Sequence, residues 1–162
     1  ATGTMSAMSD TPPPAAAKPK SKARHQARRL LLQALYQWQL AGASAAEIDR
    51  QFREEQPVRQ ADLDYFSELL RRIIALHGEL DQVLAPLLDR PLEQLTPVER
   101  AILLIGSYEL MHCIELPYPV VINEAIELAK SFAAPDSHKY VNGVLDRIAA
   151  QFRRPEVEAR RR

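Results

Sequence analysis

A single cysteine, Cys113, leaves nothing with which to form an intramolecular disulfide, and no Cys/His spacing resembles a zinc site. The five glycines are scattered singly, so no glycine-rich loop cradles a phosphate. No run approaches the roughly 18 apolar residues of a membrane-spanning helix, and the short apolar core of a secretory signal is missing. A reducing cytoplasm with no membrane partner is the expected setting. Strictly alternating apolar and polar segments bounded by turn residues are also absent, which removes the signature of half-buried strands.

Net charge is lacking too, but the formal zero conceals a polarised chain. Residues 11–46 hold no acid and six basic residues: Lys18, Lys20, Lys22, Arg24, Arg28 and Arg29. Residues 47–152 hold eighteen acids against ten bases, and residues 153–162 carry five arginines against two glutamates. Asymmetry of this kind points to an anionic partner for the basic segments, set against the plainer role of a solubilising tail.

What is present is helical periodicity. Residues 1–20 are Pro, Ala, Thr, Ser and Gly with almost nothing large and apolar to bury, so they are expected to be a disordered tail. From about Ser21, Ala27, Leu31, Ala34, Leu35 and Trp38 form one inward stripe, and Gly42 is a natural stop. At about 100° per residue, Arg24 and Arg28 lie one turn apart on an edge of that stripe, with Arg29 turned away. Ser44 and Glu47 form a capping box ahead of Ile48 and Phe52. Beyond Pro57, Leu63, Phe66, Leu70, Ile73, His77, Leu80, Leu84 and Leu87 make a second seam, in which His77 is expected as a hydrogen-bonded core residue.

Thr96, Pro97 and Glu99 give another capping box with proline at the first helical position. The AILLIG that follows is apolar nearly all round, which predicts a central buried helix ending before Pro117 and Pro119. Ile122, Ala125, Ile126, Ala129, Phe132 and Ala133 then mark an amphipathic helix. Pro135 breaks it, and Asp136 is placed to cap the next helix, whose stripe is Val141, Val144, Leu145 and Ile148, with Gly143 allowing close approach of a neighbour. The fold class is therefore all-α, a compact bundle with short connections.

No catalytic constellation emerges. Asp136, Ser137 and His138 are consecutive, and neighbouring residues on a helix point about 100° apart, so they cannot converge as a relay. His112 and Cys113 fail on the same ground, and neither an enzyme nor a cofactor or metal is expected. Phosphate-binding arginines and a few rings able to stack on unpaired bases fit RNA better. Tyr140 stands out, one turn past the corner beside Lys139. The Asp136 carboxylate can cap a helix and also accept from a base amino group.

The strings INEAIELAKSF (122–132) and DSHKYVNGVLD (136–146), with QALYQWQL (33–40) and VERAILLIGSYEL (98–110), closely resemble the NusB family of bacterial transcription antitermination factors. The likeness runs in order from residue 24 to 152. It implies about six to seven helices in two packed sub-bundles, residues 21–90 and 96–153, with a basic tail at 154–162. It further implies an RNA-binding face formed by the start of the first helix and the last corner, which by position gives Arg24, Arg28, Tyr118, Phe132, Asp136, Lys139 and Tyr140. The implied partners are the ribosomal protein NusE, with Glu99 at the contact or simply in its capping box, the single-stranded boxA element of ribosomal RNA transcripts, and the RNA polymerase antitermination complex. This chain departs from relatives at His25, Gln26 and Pro119, where others carry basic residues, and at Tyr140, where a phenylalanine stands. Two other readings remain: the NusB-like RNA-binding module found in ribosomal RNA cytosine methyltransferases, and a helical interaction scaffold with an incidental basic tail.

Overall fold

The computed structural model describes residues 14–55 and 61–161; residues 1–13 of the tail expected over residues 1–20, and the break at Pro57, lie outside the described residues. Seven α-helices follow one another among them: α1 Pro14–Ala41, α2 Ala45–Glu55, α3 Leu63–Leu84, α4 Pro97–His112, α5 Tyr118–Phe132, α6 Ser137–Phe152 and α7 Arg154–Arg161. Two 3-10 turns, Ala85–Leu87 and Leu92–Gln94, link α3 to α4. Two ends are longer than expected. α1 begins at Pro14, ahead of Ser21, with proline at its first position and three alanines after it, and residues 154–161 of the basic tail are a helix.

The boundaries follow local chemistry. Gly42 ends α1 at φ 72°, a left-handed conformation that costs glycine nothing. At α2 the Glu47 N–H donates to Ser44 Oγ (3.2 Å) and the Ser44 N–H to Glu47 Oε1 (3.3 Å). These bonds, the backbone one foremost, hold the Glu47 carboxyl below the usual carboxylate range. Asp62 caps α3 by accepting the Tyr65 N–H at 3.0 Å. The Thr96/Glu99 box opens α4, with both reciprocal bonds at 3.1 Å.

α4 is the axis of the bundle. Every residue from Ala101 to Leu110 is buried, because α1, α3, α5 and α6 all pack against it. α1, α2 and α3 group on one side and α5 and α6 on the other, so α4 belongs to both halves of the core. The inward stripes read from periodicity are buried: Ala27, Leu31, Ala34 and Leu35 on α1, Phe66, Leu70, Ile73, Leu80 and Leu84 on α3, Val141, Leu145 and Ile148 on α6. His77 departs from expectation. Its side chain is 45% exposed at the rim of the α3 seam, where the ring meets Trp38 edge-on at 5.0 Å. A polar ring at the edge keeps a wet side that the seam cannot offer.

The close helix contact also falls elsewhere than expected. Gly143 is exposed with open space where a Cβ would be, whereas a Cβ on Gly106 would sit 2.7 Å and 2.9 Å from the two methyl carbons of Leu145. Gly106 is where α4 admits α6. Since Leu145 is fully buried, its methyls have no free volume to enter. Gly106→Ala should therefore lower stability by about 1–3 kcal/mol despite its better helix propensity, and Gly143→Ala should raise it by about 0.5–1 kcal/mol. Urea midpoints for the two variants test this; a gain for both would mean that Gly106 is not a contact point.

Candidate nucleic-acid interface

The expected RNA face is built on a buried polar network that periodicity does not reveal. Arg28 is only 3% exposed, and its Nε donates to both oxygens of Glu109, at 2.9 Å and 3.2 Å. The Tyr65 hydroxyl donates to the same carboxylate. Arg28 Nη1 lies 3.4 Å from Glu124, and His25 Nδ1 lies 2.8 Å from the same Glu124 oxygen. One chain of polar contacts thus ties α1, α3, α4 and α5 together. Burial pushes the Glu109 carboxyl upward while Arg28 and Tyr65 pull it back. Burial works hardest against the Arg28 charge, but Glu109, Tyr65 and Glu124 together outweigh it and hold the guanidinium above its ordinary range. Tyr65 is raised too, by burial and by Glu109, and stays a donor.

This network reassigns the arginines of α1. The edge that carries Arg24 and Arg28 turns toward the bundle, Arg28 wholly and Arg24 in part. Arg24 covers the Tyr65 ring at 4.5 Å and lies 3.7 Å from Asp62, and its side chain is 27% exposed. Arg29, expected to point away, instead sits 4.8 Å over the ring of Phe132 at the end of α5. Among the described residues Arg29 has no acid at ion-pair distance. Nothing in the α1 sequence marks that difference, because it depends on which helix lies beside each edge.

The α5–α6 corner differs from expectation in its backbone. Asp136 adopts φ 72°, and no side-chain bond caps α6. A capping residue needs extended dihedrals to aim its oxygen at the N–H groups one turn on, and the left-handed conformation aims it elsewhere. The Asp136 carboxylate is 77% exposed and 3.4 Å from Lys139 Nζ. Ser137, the first residue of α6, is buried and donates from Oγ to Glu99 Oε2 at 3.2 Å. Glu99 is thereby occupied within the chain, by Thr96 on one side and by the corner on the other.

Each of the three rings expected on the face lies under a guanidinium. Phe132 has Arg29; Tyr140 has Arg90 at 4.5 Å; Tyr118 has Arg160 at 5.8 Å. Planar cations over ring faces are held by the ring quadrupole and can exchange that contact for a base. Arg90 is neutralised by Asp89, through bonds of 2.7 Å and 3.3 Å, and the Asp89 N–H reaches the Tyr140 hydroxyl at 3.4 Å. Tyr140 therefore looks toward the 3-10 turns, and burial raises its hydroxyl. Tyr118 and Phe132 occupy opposite ends of α5, about 21 Å apart at 1.5 Å per residue. Sequence reading missed Arg29, Arg90 and Arg160, since each is remote from its ring along the chain. The basic segments were the only trace of Arg29 and Arg160, and Arg90, in the acidic middle of the chain, left none.

An all-α bundle with ring and guanidinium pairs along one helix and around a corner has the architecture of a small helical binding protein. The NusB family model matches residues 25–150. Transcription antitermination proteins NusB of Burkholderia lata and Burkholderia cenocepacia are 52% and 51% identical over 142 residues, 88% of this chain and 98% of theirs. Among solved structures, the antitermination factors NusB and NusE in complex with dsRNA match with a TM-score of 0.73 at 27% identity, covering 80% of this chain and 98% of that one. Thermotoga maritima NusB matches with a TM-score of 0.70 at 26% identity, over 83% and 96% of the two chains. The chain belongs to the NusB family.

Arg28→Ala should cost about 3–5 kcal/mol in urea denaturation, because it leaves Glu109 charged, buried and without its cation. Replacing Arg28 by Met together with Glu109 by Leu should cost less than Arg28→Ala alone. An unchanged midpoint for Arg28→Ala would show that the pair adds no net stability.

Proposed function

We propose that this protein binds the single-stranded boxA element of ribosomal RNA transcripts jointly with NusE, and that the complex helps RNA polymerase resist termination. The observation that carries this reading is Arg29 over Phe132 at the α5–α6 corner, a free cation on a half-buried ring. The likeness to a NusB–NusE pair in complex with dsRNA supports NusE and an RNA as partners. Phosphates are met by exposed Lys22 and Lys139 and by the partly exposed Arg24 and Arg29. Phe132, Tyr118 and Tyr140 offer ring faces to unpaired bases, and the exposed Asp136 carboxylate accepts from a base amino group. Arg28 acts from beneath, fixing the edge of α1 against α5. Glu99 serves NusE docking by holding the starts of α4 and α6 in register.

Chemically this is binding without bond making. Cations orient the strand, and stacking with polar acceptors distinguishes boxA from other sequences. NusE enlarges the surface so that two modest contacts act together.

The test is binding to boxA RNA and to a scrambled RNA of equal length, with and without NusE, at two salt concentrations. Selective binding strengthened by NusE is expected. Arg29→Ala should reduce the slope of log affinity against log salt by about 0.7. Phe132→Leu, which keeps bulk and removes the ring, should weaken boxA binding by about 1–3 kcal/mol. Equal, weak, salt-sensitive binding to both RNAs, indifferent to NusE, would replace this reading with that of a scaffold bearing a polyanion hook.

A further inference from the structure

The C-terminal helix α7 is fixed to the bundle by more than its connection to α6. Arg153, 3% exposed, donates to the carbonyls of Leu110 (2.8 Å), Cys113 (2.9 Å), Glu109 (3.3 Å) and Leu116 (2.8 Å). These are the carbonyls at and just beyond the end of α4, where a cation also satisfies the negative end of the helix dipole. Arg153 Nη1 holds Glu156 Oε1 at 2.8 Å, and Glu156 Oε2 accepts the N–H of Tyr118, the first residue of α5, at 2.8 Å. Val157 is buried beneath.

With α7 pinned in this way, Arg160 stands over Tyr118, and Arg161 is exposed beside it. Arg154 is paired with Glu158 at 3.1 Å, but among the described residues neither Arg160 nor Arg161 has an acidic partner. The pair Arg160–Tyr118 repeats at the start of α5 what Arg29–Phe132 does at its end. Fourteen residues separate the rings, so they lie within about 40° of each other around the helix and about 21 Å apart. At about 3.4 Å per stacked nucleotide that distance corresponds to about six steps of one strand.

We propose that α7 is a second docking station for the same RNA, with Arg160 and Arg161 gripping phosphates of nucleotides that flank the segment held between the α5–α6 corner and Tyr118. α5 then acts as a ruler between the two stations. This rests on the RNA-binding reading above and deepens it. An RNA strand fits where an acidic peptide would not, because each station joins a phosphate-type cation to a stacking surface and both share one helix.

The experiment compares a boxA-length RNA with a longer RNA that extends it at both ends, using the full chain with NusE. The wild-type protein should bind the longer RNA more tightly and with a steeper salt slope. Arg160→Ala combined with Arg161→Ala should leave the melting temperature and the short-RNA affinity unchanged. On the longer RNA it should reduce the slope by about 1.4 and the affinity by about tenfold at low salt. Arg29→Ala should weaken both RNAs. If the double variant matches the wild type on the longer RNA while Arg29→Ala does not, α7 is no station and the corner site stands alone. If the wild-type protein prefers neither RNA to its scrambled counterpart, the RNA-binding reading itself fails and α7 fails with it.

Discussion

A carboxylate buried at the centre of the molecule constrains everything around it. Glu109 lies on the all-buried α4 and is 1% exposed, so its charge must be met from within. Arg28 and Tyr65 meet it from α1 and α3, and Glu124 shares the same guanidinium from α5. An apolar core tolerates small slips between helices, whereas a buried ion pair is worth keeping only in one geometry and is severely unfavourable when broken. The pair therefore fixes α1 against α4, Arg28 and His25 tie α1 to α5 through Glu124, and the next residue, Arg29, lies over Phe132.

The interface consequently has a layered construction. Beneath lie Arg28, Glu109 and Tyr65, which are inaccessible to a ligand; above lie Arg24, Arg29, Lys139 and the rings, which are not. The same division recurs at the far end of α5. There the buried Arg153 caps α4 and holds Glu156 on the Tyr118 N–H, while Arg160 lies outside on the ring. In both places one arginine is consumed in locating an element, while the next residue in the chain, Arg29, or the arginine two turns on, Arg160, has no acidic partner among the described residues. Counting basic residues would have given all of them one role.

Membership in the NusB family gives this layering a purpose. Relatives about half identical over nearly their whole length are antitermination proteins, and a structural neighbour is a NusB in complex with NusE and dsRNA. A binding protein of this kind must carry exposed cations on a bundle that would otherwise be pushed apart by them. Glu124, Asp62 and Asp89 sit among the arginines and moderate that repulsion, while among the described residues Arg29 and Arg160 have no acidic partner.

The sequence by itself determined the helices, their caps and their inward faces. Capping boxes at Ser44 and Thr96, the stop at Gly42 and the stripes of α1, α3, α5 and α6 are all local, because propensity, capping and amphipathic period act within a few residues. The family motifs were legible as well, and it was the resemblance they carry that implied the last corner as the RNA face. Whether Arg28 or Arg29 reaches solvent, whether Asp136 caps α6, and whether Gly106 or Gly143 admits a neighbour were decided only by the tertiary structure. Each depends on which residue of another helix stands opposite: Glu109 and Phe132 for the arginines, Leu145 for Gly106. Periodicity orients a side chain relative to its own helix axis, and says nothing of what a partner distant in the chain will present to it.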